Sequence, residues 1–337
     1  MTATASNPTW TVTRKEGVPG SRILEEILTL ASASTEADGN PPLSEQTLVN
    51  LRASGSEAPR VMVFTARPGA EGTAATDDDG DGELAGVAVL SLAGDAGSSP
   101  DSGVMELVVA PDCRGEGVGT ALAEAVRAED FPGLKAWSHG NHPAAVDLAA
   151  RFGLKPVREL WRMRLTRAAL QESAPELALP EGVTLRAFVP GQDEEAWLET
   201  NRAAFAHHPE QGSTTLADLR ARMAEDWFDP DGFLLAERPG VPGLLGFHWT
   251  KVHPAVGAHP SIGEVYVVGV APAAQGLGLG KALTVAGINH LHQRGLQAIM
   301  LYVDADNTAA VALYRRLGFT RWDVDVMYAG GEGTPSL

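Results

Sequence analysis

The sequence predicts a duplicated α+β (mixed α/β) fold: two tandem domains, each a central mixed sheet flanked by helices. Three observations predict it. The chain has 337 residues, enough for two domains at roughly 100–200 residues each, every one with its own core. It also repeats itself. The segment VMELVVAPDCRGEGVGTALAEAV at 104–126 returns as VYVVGVAPAAQGLGLGKALTVAG at 265–287, and AAVDLAARFG at 144–153 returns as AAVALYRRLG at 309–318. Two blocks recurring in one order at nearly one offset mark a duplicated domain rather than a short-period array. Finally, apolar strand-like runs alternate with helical spacings in each copy.

Taken in order, the first copy reads as helices near 21–35, 43–54, 115–129 and 143–153 around the strands. Residues 166–182, TRAALQESAPELALPEG, are rich in small residues and proline and carry no long apolar run, so the linker is placed there. That sets the domains at 1–165 and 183–330. In the second copy VTLRAFV is a strand, DEEAWLETNRAAF and TLADLRARMAE are helices, and GFLLAER and GLLGFHWTKVH are strands. GEVYVVGV is a buried strand that leads into a glycine turn and a helix from about Gly276 to Arg294. AIMLYVD is a strand. Asn307 is placed to cap a helix ending at Gly318, with Ala310, Val311, Tyr314 and Leu317 at helical spacing, and FTRWDVDVMY closes the copy as a strand.

Composition narrows the partners. Acidic residues outnumber basic ones by 43 to 26, for a formal charge of −17. A broad nucleic-acid or anionic-membrane surface is therefore not expected, although a local basic pocket is not excluded. No run approaches the ~20 apolar residues of a membrane span. The start, MTATASNPTW, lacks the charged and apolar regions of a signal peptide. Cys113 is the single cysteine, which excludes an intramolecular disulfide framework and fits a reducing, cytoplasmic setting.

The glycine turn carries the chemistry. Three glycines at alternate positions follow a strand and open a helix, in both copies: Gly115, Gly117 and Gly119, then Gly276, Gly278 and Gly280. Glycine permits positive φ and close approach, and the unpaired N–H groups of a helix start form an anion site. A pyrophosphate is the natural guest. The pattern is not a Walker loop, because Lys281 is followed by Ala282 and Gln275 stands where the first glycine belongs. Nor is it a dinucleotide fingerprint, since Lys281 falls at the third glycine. What remains is Arg114-x-x-Gly117-x-Gly119 and Gln275-x-x-Gly278-x-Gly280.

A strand, Q/R-x-x-G-x-G, a helix, a strand and then N-x6-Y-x3-GF resemble the GCN5-related N-acetyltransferase superfamily, in both halves and over nearly the whole chain. The resemblance implies two acetyltransferase-type domains with mostly antiparallel mixed sheets, and acetyl-CoA as co-substrate. GEVYVVGVAPAAQGLGLG and LYVDADNTAAVALYRRLGF resemble the tandem members that acetylate the cysteinyl amine of cysteinyl-glucosaminyl-inositol. It implies that Val268, Gly269 and Val270 offer backbone groups to the thioester and pantetheine. Gln275, Gly276, Leu277, Gly278, Leu279, Gly280 and Lys281 would hold the pyrophosphate. Asn307, Thr308, Ala309, Ala310, Val311 and Ala312 would line the pantetheine and adenosine side. The corresponding set in the first copy is Leu107, Val108 and Val109, with Arg114, Gly115, Glu116, Gly117, Val118, Gly119 and Thr120. Gly269 inside a buried strand also suggests a bulge or close approach by a ligand.

Acetyl transfer to an amine needs a base, donors for the thioester oxygen, a proton for the leaving thiolate and a shared geometry. Glu264, at the start of the strand before the turn, is the expected base and contacts the amine; Tyr314 is the expected acid. Read without the resemblance, Glu264 is a strand-end glutamate and Tyr314 a core aromatic. Glu45, Glu210, Lys251 and Tyr302 are carried over by motif as substrate contacts; Glu45 lies in the first domain, so the substrate is expected between domains. Ungapped alignment on Pro111 and Pro272 places Gly103 opposite Glu264, and alignment on Gly153 and Gly318 places Ala149 opposite Tyr314. The first domain is thus expected to bind a second acetyl-CoA without turnover, or to serve as scaffold.

Cys113 has no evident base nearby and reads as a packed thiol. Asp77, Asp79 and Asp81 mimic the start of a calcium loop, but its twelfth position is Ala88. His207, His208, His253 and His259 lack metal-ligand spacing and read as surface or substrate-adjacent residues, so no metal is expected. The expected partner is a small-molecule amine, with the chain acting as a monomer. A tandem acetyltransferase for another small-molecule or protein amine, and a non-catalytic acyl-CoA sensor, stay open as alternatives.

Overall fold

The computed structural model describes residues 9–53, 60–69, 82–93, 102–131, 133–172, 176–207, 209–255, 257 and 260–330. The acidic run at Asp77, Asp79 and Asp81, together with His208 and His259, lies outside them. The chain divides into two compact units, Met1–Glu159 with Val324–Leu337, and Leu160–Asp323.

Unit 1 runs β1 (Trp10–Glu16), α1 (Ser21–Asp38), α2 (Glu45–Arg52), β2 (Arg60–Pro68), β3 (Gly86–Ala93), β4 (Ser102–Val109), α3 (Val118–Arg127), β5 (Leu134–Ser138), α4 (Pro143–Arg151) and the start of β6 (Leu154–Thr166). Unit 2 continues from β6 with α5 (Arg167–Glu172), β7 (Thr184–Ala187), α6 (Glu194–Ala204), α7 (Pro209–Gly212), α8 (Leu216–Met223), β8 (Phe233–Glu237), β9 (Gly246–His253), β10 (Ile262–Val270), α9 (Leu279–Gln293), β11 (Ala298–Asp304), α10 (Thr308–Arg316) and the start of β12 (Thr320–Gly330). The short helices α5 and α7 carry too few periodic residues to be read from sequence.

In unit 1 the strand order is β1-β2-β3-β4-β5-β12-β6, and in unit 2 it is β12-β6-β11-β10-β9-β8-β7. Strands β1 to β4 are antiparallel, β4 and β5 parallel, and β5 and β12 antiparallel. Unit 2 repeats the plan, with β10 and β11 as its parallel pair. Thus β12, the last strand among the described residues, completes the sheet of unit 1, and the far half of β6 completes that of unit 2. Contiguous domains at 1–165 and 183–330 do not anticipate this exchange, and α5 falls within the expected linker 166–182. A repeat search compares segments and carries no information on which copy a strand pairs with.

The core of unit 2 explains how its glycine turn is held. Trp197 of α6 is fully buried and meets Phe233, Phe247 and Trp249 edge-on, at centroid distances of 5.6, 5.4 and 5.8 Å. Phe233 in turn stacks on Trp249 at 4.3 Å. Truncating such an aromatic costs about 3–5 kcal/mol. On the opposite face α9 is buried along most of its length. Gly287 sits mid-helix, normally a weak choice, because the His248 ring of β9 occupies the space a Cβ would need. His248 has no exposure, and burial pushes its pKa down to about 4, so the neutral ring donates from Nδ1 to the Leu283 carbonyl at 2.7 Å. This bond pins α9, and hence the turn at its start, to the sheet.

Candidate active site

In unit 2 the site begins as an interruption of the sheet. The β9–β10 register shifts between Val265 and Val267, so Tyr266 is an extra residue on β10. The parallel pairing of β10 with β11 runs only over Gly263–Val265 and Ile299–Leu301. Beyond it the two strands part, which leaves Val268, Gly269 and Val270 unpaired on the β11 side. The bulge thus lies at Tyr266 and not at Gly269. Gly269 is there for packing, since a Cβ would fall 2.8 Å from the Phe247 ring.

The strand then enters a 3-10 turn at Pro272–Ala274 and the glycine turn. Gly276 and Gly278 have φ of +79° and +78°, with open space where a Cβ would stand, so they are required for conformation rather than for room. Gly278 is the N-cap of α9 and offers no side chain, so the first N–H groups of a 15-residue helix have no side-chain cap. Gln275, Gly276, Leu277, Gly278 and Lys281 are exposed around them, Leu279 is buried and Gly280 half-buried. Asn307 caps α10 by accepting from the Ala310 N–H at 3.1 Å. Asn307, Thr308, Ala309 and Ala312 are exposed, Ala310 is half-buried and Val311 is buried.

Glu264 is buried, and its Oε2 lies 2.5 Å from Nε2 of His253. Its register partner across β9–β10 is Lys251. The Lys251 ammonium sits 4.3 Å from the Trp227 ring centroid and 5.2 Å from that of Tyr266, whose hydroxyl accepts from Arg222 Nε at 2.9 Å. Tyr314 is buried on Phe319, and burial pushes its hydroxyl up to about 12. Tyr314 shares a core cluster with Val265, the residue after Glu264. Successive residues of a strand face opposite sides, so Glu264 and Tyr314 flank the parted strands from the two faces of the sheet. Tyr302 is half-buried on β11, and Glu210 belongs to α7.

Unit 1 parts its strands at the same place: β4 pairs with β5 over Gly103–Glu106 and no further. A cavity of about 470 Å³ opens there, lined by Leu107, Val108, Val109, Arg114, Gly115, Gly117, Val118, Gly119 and Thr120, but not by Glu116. Gly115 and Gly117 have φ of +79° and +92°. The Arg114 guanidinium is already engaged, in a two-pronged pair with the Asp38 carboxylate at 2.7 and 2.8 Å. Glu45 opens α2 and is half-buried. Burial first, then Glu116, Asp112 and Glu83, push the Cys113 thiol up, away from the reactive thiolate.

The bulge also changes the match between copies. Gly103 pairs with Leu92 and Val104 with Ser91, while Gly263 pairs with Val252 and Glu264 with Lys251. β3 starts at Gly86 as β9 starts at Gly246, so Gly103 matches Gly263 and the counterpart of Glu264 is Val104. Ungapped alignment misses this by one residue because only β10 carries the extra Tyr266. Ala149 and Tyr314 keep equivalent places in α4 and α10.

Sequence reasoning missed one cluster altogether. In unit 1, His139 Nε2 lies 2.9 Å from Glu106 Oε1 and its Nδ1 lies 3.0 Å from Asp325 Oδ2. Glu106 also accepts from the Ser44 N–H at 2.9 Å, and Asp325 from that of Gly140 at 2.8 Å. Although burial alone lowers an imidazole's pKa, the two carboxylates raise that of His139 to about 10. Burial raises the Glu106 pKa, but His139 and the Ser44 N–H outweigh it and hold the carboxyl below its usual range. Every polar atom of the three is engaged, so the cluster is structural. With His139 and Asp325 186 positions apart in the chain, no local spacing could reveal it. Among the described residues, no group of three or more His, Cys, Asp or Glu could hold a metal ion, and no helix is long and apolar enough to cross a membrane.

Comparison with known proteins agrees with this geometry. The family model described as Acetyltransferase (GNAT) family matches residues 48–154 and 195–319. A protein of Paenarthrobacter aurescens (strain TC1) named mycothiol acetyltransferase is 59% identical over 321 residues, covering 95% of this chain and 96% of that protein. One of the same name from Renibacterium salmoninarum is 51% identical, covering 97% and 93%. Among solved structures, the tandem GNAT protein from the clavulanic acid biosynthesis pathway matches with a TM-score of 0.67 at 18% identity, over 94% of this chain and 98% of that one. The GCN5-related N-acetyltransferase from Sphaerobacter thermophilus matches with a TM-score of 0.61 at 25% identity, over 94% of each.

Proposed function

The chain belongs to the acetyltransferase (GNAT) family, and from that premise we propose that it uses acetyl-CoA to acetylate the cysteinyl amine of cysteinyl-glucosaminyl-inositol, the step that completes mycothiol. The single observation that carries the site is the parting of β10 from β11 beside buried Glu264, immediately before the glycine turn.

Acetyl-CoA supplies the acyl group and a thiolate leaving group. The N–H groups at the start of α9 hold the pyrophosphate, with Gln275 and Lys281 beside them. Unpaired backbone N–H on Val268–Val270 meets the thioester oxygen as it gains charge. An α-amine titrates near ~8, so part of it is protonated at neutral pH. Glu264 takes that proton first, which frees the lone pair that attacks the carbonyl carbon, and the second nitrogen proton passes to solvent as the tetrahedral intermediate collapses to the amide. Tyr314, kept as the neutral phenol by burial, gives its proton to the sulfur as the C–S bond breaks. Lys251 and Tyr302 join Glu264 as contacts of the acceptor, with Glu210 and Glu45 as further contacts. Residues 183–330 carry the chemistry. The first copy, within 1–165, binds a second acetyl-CoA without turnover: it keeps the turn and a cavity but has Val104 and Ala149 where the reacting side chains would be. The lone cysteine supports a cytoplasmic setting, and we take the chain to act there as a monomer.

The test is steady-state release of free CoA by the full-length protein with acetyl-CoA and the cysteinyl-glucosaminyl-inositol amine. Rapid release that collapses by about 10²-fold or more in Glu264→Gln is expected. Release no faster than with generic primary amines overturns the substrate claim.

A further inference from the structure

We propose that His253 is the positioning residue for Glu264, holding one carboxylate oxygen so that the other faces the amine. This rests on the reading of Glu264 as the proton acceptor. The β9–β10 register sets the arrangement. Glu264 lies opposite Lys251, and His253 stands two residues further along β9, on the same face, a diagonal neighbour within reach of a long side chain. His253 Nε2 meets Glu264 Oε2 at 2.5 Å. A carboxylate that is to take a proton starts ionised and only accepts hydrogen bonds. Nε2 therefore carries the hydrogen and donates, and Oε1 is left for the amine.

The exposures give this bond its weight. The Glu264 side chain is 8% exposed and the His253 ring 33%. A carboxylate so far from water relies on its protein donors for hydrogen bonds. Without His253, Glu264 has lost its ring donor and turns more freely, so Oε1 is held toward the amine less of the time. The ring, by contrast, reaches solvent and needs no further protein partner. The neighbouring cation cannot take over the same place, because Lys251 is drawn onto the Trp227 and Tyr266 rings.

Geometry singles out one replacement. A glutamine amide can place its N–H where Nε2 stands, whereas asparagine is too short and alanine has no donor. The experiment measures acetyl transfer by the full-length protein as wild type and as His253→Ala, His253→Asn and His253→Gln, with Glu264→Gln and the Glu264→Gln/His253→Ala double variant alongside. Charge-assisted hydrogen bonds of this kind support a loss in kcat of about tenfold to hundredfold for Ala and Asn, with KM for acetyl-CoA within twofold and at least partial rescue by Gln. In the Glu264→Gln background His253→Ala should cost nothing further. Unchanged kcat in Ala, no rescue by Gln, or an equal loss in the Glu264→Gln background would each overturn the assignment. The bond is also read without turnover, by 15N NMR of the imidazole: a protonated, hydrogen-bonded Nε2 in wild type that shifts in Glu264→Gln. An Nε2 signal indifferent to that substitution overturns the proposal, even if the substrate reading has failed for lack of amine-dependent release.

Discussion

The cluster of His139 with Glu106 and Asp325 makes unit 1 sensitive to alkali. Its imidazole has an ordinary pKa of 6.5, raised to about 10 in the folded chain. A group raised on folding contributes its full stability below its unfolded pKa and loses it as pH rises through the folded one. The window is therefore pH 6.5 to about 10. At about 1.4 kcal/mol per unit, this places on the order of 4 kcal/mol on the site at pH 7, and on the order of 1 kcal/mol by pH 9.5. The ring is 14% exposed, so little of this is lost to solvent screening. His139→Gln removes the titration and strands two buried carboxylates, a change that costs about 3–5 kcal/mol at neutral pH. The wild type should thus exceed the variant by about 4 kcal/mol at pH 7, with the gap closing to about 1 kcal/mol near pH 9.5. Urea-dependent pulse proteolysis, with fragments of unit 1 assigned by mass spectrometry, measures this apart from unit 2. Two stability curves that stay parallel from pH 7 to 9.5 would refute the reasoning.

Two further outcomes follow from the sites. Tyr314→Phe keeps the ring that packs on Phe319 and removes only the hydroxyl, so kcat should fall by up to about 10²-fold with melting temperature little changed; an unaltered kcat would leave Tyr314 a packing residue. Asp38→Asn frees Arg114 from its two-pronged pair and removes a negative charge from the cavity of unit 1. Both groups are near 30% exposed, so the gain for CoA binding there is modest, about fivefold in affinity, seen by titration calorimetry as a tighter second binding event. No change would mean that Arg114 does not meet the phosphates.

Much of the fold is legible in the sequence because its signals are local. The largely apolar run GEVYVVGV becomes β10, Asn307 caps α10 as its position before an apolar helical stripe requires, and alternate glycines place the two left-handed residues ahead of α3 and α9. Legibility ends where a property depends on a partner strand. Nothing in β10 itself says that Tyr266 is surplus, since a bulge exists only relative to β9. His253 is ambiguous for the same reason: only the register brings it to Glu264.

By itself, the sequence determined the duplication, the longer helices and strands of each copy, the two glycine turns and the absence from the first copy of a glutamate and a tyrosine to match Glu264 and Tyr314. These rest on residue type and short-range periodicity, which the chain carries in any context. The tertiary structure alone decided that β12 completes the sheet of unit 1 and that Val104 answers to Glu264. It also decided that Asp38 holds Arg114 and that His139 is locked between carboxylates from distant segments. Those are consequences of hydrogen-bond register and of burial, which raise or quench a charge only once the strands are in place.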